Sequence, residues 1–257
     1  MSRQQRIRLL LLILVFESAL ASALYFKAAP PAAVNLLPSA ARLLPEAQQS
    51  LIWKSFTFAE PQSLAQWEEK VFKGKTWYRI VQEGGARFLR ATSRNAASGL
   101  YLKLTRQATP DLWLSWRWRA RQFPKKTDPT GPPSRNQDDY AARLYVIFPA
   151  SNFFKSDVIE YIWDDRLPED SFRDSPFSER VKLFVVQNGP GEEPEGWTLE
   201  QRNVYEDYVR LFGKPPKHDI GALAIMSDAD NTETSAECDF QEITLLIQPK
   251  KGGQKPT

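Results

Sequence analysis

Alternation of apolar and other side chains is the feature of this sequence that most constrains its fold. In the stretch Asp111–Arg121 every second residue is apolar, and these residues are Leu112, Leu114, Trp116, Trp118 and Ala120. Successive side chains of a β-strand point to opposite faces, so this period of two predicts a long strand with one apolar face. The stretch Tyr140–Phe148 has the same period. Both stretches indicate a sheet whose apolar face packs against a second layer.

Eight further segments have the length and the aromatic or β-branched content of strands. They are Trp53–Phe58, Trp77–Gln82, Arg87–Thr92, Gly99–Leu104, Val158–Trp163, Val181–Val186, Ile220–Met226 and Asp239–Ile247. About ten strands with few helices between them predict a mainly all-β domain, an antiparallel jelly-roll-like β-sandwich with one or two short helices. Phe240 breaks the alternation of the last strand, which predicts a β-bulge there.

Two segments have helical spacing, Ser63–Val71 and Thr198–Phe212. In the second, Thr198 and Gln201 have the spacing of a capping box, and Gly213 followed by two prolines favours a helix end. Two stretches rich in Pro, Asp and Ser predict long surface loops, namely Asp128–Gln137 and Leu167–Ser178.

The first 23 residues resemble a secretory signal. Three arginines precede the apolar run Leu9–Phe16, and a small-residue cleavage site follows, with cleavage expected after Ala23. The alternative is an uncleaved anchor over Ile7–Phe26, which would place Glu17 near the bilayer centre at a cost of about 2.5–3.5 kcal/mol. The cleaved form predicts a periplasmic or secreted protein with no stable membrane insertion.

The rest of the chain divides by composition. Residues 24–50 are rich in Pro and Ala and predict a linker, residues 51–249 predict the β-sandwich domain, and residues 250–257 predict a disordered basic tail. The chain has 34 basic and 31 acidic residues, but eight basic and only two acidic residues lie outside the domain. The domain itself therefore has a small acidic excess, which argues against nucleic acid as a partner.

One Cys and one His limit the chemistry. A single Cys excludes an intramolecular disulfide, a Cys-rich zinc site and an iron–sulfur cluster, and a single His excludes a multi-His metal centre. Cys238 begins the apolar last strand, where a free Cys is expected to be a buried structural residue. An intermolecular disulfide is the alternative.

Asp228, Asp230 and Asn231 follow an apolar strand and offer hard oxygen ligands. Calcium is the ion that these ligands suit. The segment is not an EF-hand loop, because an EF-hand needs Gly at position 233 and Glu at position 239, where this chain has Glu233 and Asp239. The alternative is a turn between two strands in which these side chains bind local backbone amides. We favour the turn.

Asp139 and Arg143 are four residues apart and would share one face of a strand. Their simplest interpretation is a structural ion pair. If Glu160 on the neighbouring predicted strand faced the same side, Asp139 and Glu160 could form the carboxylate pair that glycoside hydrolysis needs. The sequence does not supply the distance between them, and the ion pair is the favoured interpretation.

Five short motifs occur in order along the predicted domain, namely Trp116-Arg117-Trp118, Asp138–Val146, Tyr161-Ile162-Trp163, Arg202–Tyr208 and Asp228–Thr232. Together they resemble one bacterial family of exported proteins, the domain-of-unknown-function family DUF3047. The resemblance covers roughly Trp53 to Ile247. It implies a single exported domain and carries over neither an activity nor catalytic residues.

Aromatic rings beside arginines and carboxylates suit sugars, because C–H faces stack on rings while hydroxyls take hydrogen bonds. We therefore expect a domain that binds a carbohydrate or another cell-envelope ligand. The predicted binding residues are Arg119, Asp139, Arg143, Glu160, Tyr161 and Trp163, with Asp228, Asp230 and Asn231 fixing a nearby loop. The first alternative is a polysaccharide hydrolase or lyase that uses Asp139 and Glu160. The second is a structural partner in an envelope complex.

Overall fold

The computed structural model describes residues 50–127, 134–151, 155–190 and 196–248. The predicted signal, nearly all of the linker, the tail and most of the loop Asp128–Gln137 lie outside these residues. In the described part of the chain no helix is long and apolar enough to cross a membrane.

Thirteen strands are present in these ranges, and each of the ten predicted strands overlaps one of them. The strands are β1 (Leu51–Thr57), β2 (Glu68–Lys73), β3 (Trp77–Glu83), β4 (Ala86–Arg94), β5 (Ala97–Arg106), β6 (Leu112–Gln122), β7 (Ala142–Phe148), β8 (Asp157–Asp164), β9 (Phe172–Ser175), β10 (Ser178–Asn188), β11 (Thr198–Asn203), β12 (Ile220–Asp228) and β13 (Ser235–Ile247). One α-helix, α1, spans Val204–Phe212, and 3-10 helices span Pro61–Gln66 and Arg135–Gln137.

The strands form two sheets. The first has the order β11-β6-β13-β4-β3, and β1 pairs with the second half of β13. The second has the order β2-β5-β12-β7-β8-β10-β9. Neighbouring strands are antiparallel except β8 and β10, which run parallel because the chain passes through the edge strand β9 between them. The fold is therefore the predicted β-sandwich, with one parallel pair.

The two sheets bury their apolar faces against each other. From β6, Trp116 and Trp118 reach across to Tyr161 and Trp163 on β8, with ring centroids 5.1 Å and 5.6 Å apart. All four rings are fully buried. The apolar residues that alternate along β6 are therefore the ones that face the core, as predicted. A strand with only one face covered by another layer buries every second side chain.

Two details of β13 confirm the sequence interpretation. The pairing of β13 with β6 shifts register between Phe240 and Glu242, at the predicted bulge. Cys238 is a free, fully buried thiol in the core, and burial raises its pKa well above the usual value.

The helix predictions need correction. Residues Thr198–Asn203 form β11, and the helix begins only at Val204. Its cap is Asn203, whose Oδ1 accepts a hydrogen bond from the Glu206 backbone N–H at 3.0 Å. The Thr198 capping box was therefore wrong, because Thr198–Asn203 pairs with β6 instead. Gly213 does close the helix, with φ +68°.

The segment Ser63–Val71 is also not an α-helix. It contains the end of the 3-10 helix Pro61–Gln66 and the beginning of β2, which pairs with β5. The predicted loop Leu167–Ser178 includes the short strand β9. In both places a short edge strand is stabilised by hydrogen bonds to its partner strand. The helical spacing of one segment and the turn-rich composition of the other do not indicate that pairing.

Candidate functional site

The predicted binding residues separate into three places in the fold. Arg119 lies on the outer face of the first sheet. Its Nε donates to Oδ2 of Asp239 at 2.6 Å, and its guanidinium lies against the rings of both Phe88 and Trp197, 4.9 Å and 4.7 Å from their centroids. Arg119 is only 4% exposed. Its contacts hold Trp197 against the sheet.

Arg143 lies on the second sheet at the centre of a buried charge cluster. Its Nε donates to Oδ1 of Asp228 at 2.8 Å, and its Nη2 donates to the other oxygen of the same carboxylate. It also donates to the Glu160 carboxylate and to the backbone carbonyl of Asp138. The predicted ion pair of Arg143 with Asp139 is therefore wrong. Asp139 precedes β7, which begins at Ala142, so the alternation of the strand does not extend to it.

Asp139 instead fastens the loop between β12 and β13. Its Oδ1 accepts from the backbone and side-chain amides of Asn231. Its Oδ2 accepts from the backbone N–H and the hydroxyl of Thr232, at 2.6 Å and 2.7 Å. The network gives the loop a structural role, but it differs from the predicted turn, because the carboxylate that accepts from the loop amides belongs to Asp139 and not to the motif itself.

Burial changes the protonation of this cluster. Burial raises the pKa of Asp228 to about 8, although the charge of Arg143 acts in the opposite direction. The pKa of Glu160 is also raised by burial, against the same guanidinium. Carboxylates with raised pKa values occur in active sites and in structural ion-pair networks alike. Asp228 and Glu160 are each 2% exposed, so here the shift describes a closed network.

Asp139, Asp228 and Asp230 are close enough to hold a metal ion, with one candidate ligand oxygen from each within 4.8 Å of the others. The sequence proposed Asn231 where the structure places Asp139. Two of these carboxylates are already engaged, because Asp139 accepts the loop donors and Asp228 receives the fork of Arg143. An ion would have to share both carboxylates, and it would lie beside a positive guanidinium.

Tyr161 and Trp163 occupy the core. The Tyr161 hydroxyl donates to Asp207 of α1 at 2.8 Å, and the Trp163 indole donates to the backbone carbonyl of Gly189 at 2.8 Å. With Arg119 on one sheet, Arg143 on the other and these rings between them, the predicted residues do not form a single exposed face. Direct contact of any of them with a ligand stays a prediction.

A cleft of about 690 Å³ lies where the edge strands β2 and β3 meet, one from each sheet. We call it the Trp77 cleft. It is lined by Leu64, Trp67, Glu69, Lys75, Thr76, Trp77, Tyr78, Arg79, Thr92, Arg94, Leu100 and Glu237. Its volume falls in the range of ligand pockets, roughly 300–1,000 Å³. The sequence predicts only the strand Trp77–Gln82 and the helical segment Ser63–Val71 in this region, and no binding residue.

Trp77 is the prominent side chain of this cleft. It is 54% exposed, and the Arg94 guanidinium lies over its ring at 5.6 Å from the centroid. Near it, Lys75 Nζ forms an ion pair with Glu69 at 3.2 Å. The Trp67 side chain also lines the cleft, and its indole N–H is buried and has no hydrogen-bond partner among the residues that the structure describes.

A sequence signal for Trp77 existed. Trp77 begins a strand whose alternate residues Tyr78 and Ile80 pack on the core, so Trp77 and Arg79 must face outward. The alternation of apolar and other residues along β3, taken in the same way as that along β6, identifies Trp77 and Arg79 as outward-facing. What the sequence could not show is that β2 closes the other side of the cleft.

Comparison with known proteins gives a family and distant structural similarity. The model of the family described as "Protein of unknown function (DUF3047)" matches residues 65–244, which confirms the resemblance drawn from the motifs. No curated protein matches the chain.

Solved structures with similarity include a family 11 carbohydrate-binding module of a cellulosomal cellulase from Clostridium thermocellum. It has 9% identity and a TM-score of 0.38, and the match covers 76% of this chain and 95% of that one. Another is the xyloglucanase domain of NopAA, a type three effector from Sinorhizobium fredii, with 9% identity, a TM-score of 0.39, and 71% and 93% of the two chains covered. Values at this level describe distant similarity only.

Proposed function

This chain belongs to the DUF3047 family of proteins of unknown function, and we propose that its β-sandwich binds a carbohydrate in the Trp77 cleft. The observation that carries the proposal is an exposed tryptophan in a cleft whose other walls carry hydrogen-bonding groups. Burying Trp77 in a core would stabilise the fold, whereas its 54% exposure contributes little to stability. A sugar ring could cover that surface.

The chemistry of the lining fits a sugar. The apolar faces of pyranose rings stack on indole rings, and adjacent hydroxyls take paired hydrogen bonds from carboxylates and guanidinium groups. The cleft offers Trp77 as a platform, Glu69 as an acceptor and Arg79 as a donor.

Export to the periplasm or the exterior remains part of the proposal, since a polysaccharide ligand would be met there. The first 23 residues, on which that prediction rests, lie outside the described residues.

The test is a binding screen of the full chain against neutral and acidic polysaccharides from cell envelopes and plants. We expect Trp77→Ala to lower affinity at least ten-fold, about 1.4 kcal/mol, because aromatic anchors dominate such sites. Trp53→Ala is the matched control. Trp53 is also exposed and also has an arginine over its ring, Arg106 at 5.2 Å, but it does not line the cleft. Absence of binding by the wild type throughout the screen would contradict the proposal.

The alternatives gain no specific support. Hydrolysis by Asp139 and Glu160 would need reactive carboxylates open to substrate, but these are 0% and 2% exposed and already hydrogen-bonded. Product release that is lost in Asp139→Asn and Glu160→Gln, while the fold is retained, would favour that alternative. A role in an envelope complex stays a prediction, to be tested by affinity capture from the periplasm.

Calcium at the Asp228–Asn231 loop is a separate part of the proposal. Three clustered carboxylates support it, whereas the engagement of Asp139 and Asp228 by other donors limits it. The carbohydrate proposal does not depend on the ion, because none of these residues lines the Trp77 cleft.

A further inference from the structure

We infer that the glycan bound in the Trp77 cleft is acidic and that Arg79 and Arg94 hold its carboxylate. This inference rests on the proposed function and names the class of its ligand. It is carried by an imbalance of charge around Trp77. The carboxylates of the cleft have cationic partners, whereas two guanidinium groups have no carboxylate partner among the residues that the structure describes.

The acidic residues of the cleft are compensated. Glu69 is paired with Lys75 at 3.2 Å. Glu237 accepts from Arg121 Nε at 2.9 Å and also from the hydroxyl of Thr92 at 2.8 Å. Neither carboxylate therefore needs a ligand to balance its charge.

The two arginines differ from these residues. Arg79 and Arg94 are exposed, and among the residues that the structure describes neither forms an ion pair. Arg79 stands directly opposite Arg90 in the pairing of β3 with β4. Like charges in that position repel each other. Arg90 is neutralised by Asp239, with Nε 2.8 Å from Oδ1, so the uncompensated charge belongs to Arg79.

Trp77 connects the two arginines. Arg79 is two residues along β3 from Trp77 and so shares its face, and Arg94 lies over the Trp77 ring. A uronic acid residue offers a pyranose face for the indole and a carboxylate for a guanidinium. Arginine forms paired hydrogen bonds with carboxylates that are stronger than those to neutral hydroxyls. A neutral sugar would leave both charges unmatched.

The experiment compares polymers that differ only in the charge of the carboxyl group. Polygalacturonate, alginate and hyaluronate are each paired with their own methyl ester, and neutral glucans, mannans and xylans complete the panel. Affinities are measured by titration calorimetry at one ionic strength for the wild type, Trp77→Ala and the double variant Arg79→Gln/Arg94→Gln. The matched control is Arg87→Gln/Lys217→Gln, which removes the same charge at exposed positions outside the cleft. Duplex DNA serves as a polyanion without uronic acid.

We expect at least one acidic polymer to bind ten-fold or more tightly than its ester. The cleft double variant should bind that polymer no better than the wild type binds the ester, while the control double variant keeps the preference. Equal affinity for acid and ester, or binding confined to neutral polymers, would overturn the inference and leave the proposed function standing. Binding to DNA as tight as to the acidic polymer would overturn it too, since charge alone would then explain both. No binding to any polysaccharide would refute the proposed function itself.

Discussion

Replacing Arg143 tests the buried charge cluster of the second sheet most directly. The side chain is 3% exposed and donates to Asp228, Glu160 and the carbonyl of Asp138. Methionine has a similar length and keeps the apolar packing. Arg143→Met would leave two buried carboxyl groups without this donor. At a pH at which they are ionised in the wild type, breaking a buried pair in this way costs about 3–5 kcal/mol. For a domain of this size that loss lowers Tm by roughly 10 °C.

The loss should also depend on pH in a stated direction. Burial raises the pKa of Asp228 to about 8, so the folded state holds this proton more tightly than the unfolded state, where the pKa is about 3.9. The free energy of unfolding of the wild type therefore falls between these values by at most about 1.4 kcal/mol per pH unit. Without Arg143 the pKa of Asp228 rises further. The difference in free energy of unfolding between wild type and variant should be smallest near pH 5 and should grow toward pH 9. At pH 9 the wild type can ionise Asp228 beside the Arg143 cation, whereas the variant has no such cation.

The assay is urea unfolding of the full chain, followed by tryptophan fluorescence at pH 5, 7.5 and 9. Arg87→Met is the control, because the pair of Arg87 with Glu60 has side chains that are 44% and 65% exposed and such pairs contribute about 0–1 kcal/mol. A deficit below about 1 kcal/mol for Arg143→Met at pH 9, where Asp228 is ionised in the wild type, would contradict this prediction. So would a deficit that does not change with pH.

Other predictions concern single contacts. Asn203→Ala should destabilise the protein by about 1 kcal/mol in urea unfolding through loss of the helix cap, whereas Thr198→Ala leaves that cap intact, and equal losses would count against the assignment. Cys238 should react with a thiol reagent only after the chain unfolds, because it is fully buried; rapid labelling of the native protein would contradict this. Removing the Tyr208 hydroxyl, which donates to Asp157 at 2.5 Å, should cost about 1.5–3 kcal/mol in Tyr208→Phe. If the Asp228 loop binds calcium, millimolar Ca²⁺ should raise Tm in the wild type and not in Asp230→Asn, and an unchanged wild-type Tm would exclude that ion.

Most of the strand pattern could be predicted because burial of one sheet face is written into the local sequence. The alternation from Leu112 to Trp118 gave the core face of β6, and the break at Phe240 gave a bulge. The errors occurred where an element is stabilised by a distant partner. Thr198–Asn203 has helical spacing and a capping motif, yet it forms a strand because it pairs with the open edge of β6. Hydrogen bonds to another strand outweigh such weak local preferences.

The candidate site shows the same limit more strongly. Arg143 and Asp139 are close in sequence, and proximity suggested a pair. The partner that the fold supplies to Arg143 is Asp228, 85 residues away. Asp139 is used by Thr232, 93 residues away. No local pattern distinguishes these pairings, because the partner depends on which strands become neighbours in the sheet.

The sequence was sufficient to predict a β-rich domain, the inward face of its main strands, the burial of its one cysteine and its family. The assembled fold was needed to place Arg119 and Arg143 on different sheets and to place Tyr161 and Trp163 between those sheets. The same holds for β2 and β3, which are consecutive in the chain but join different sheets and line the Trp77 cleft from both sides. A side chain's face follows from its own strand, whereas a binding surface depends on which sheet each strand joins and which strands become its neighbours.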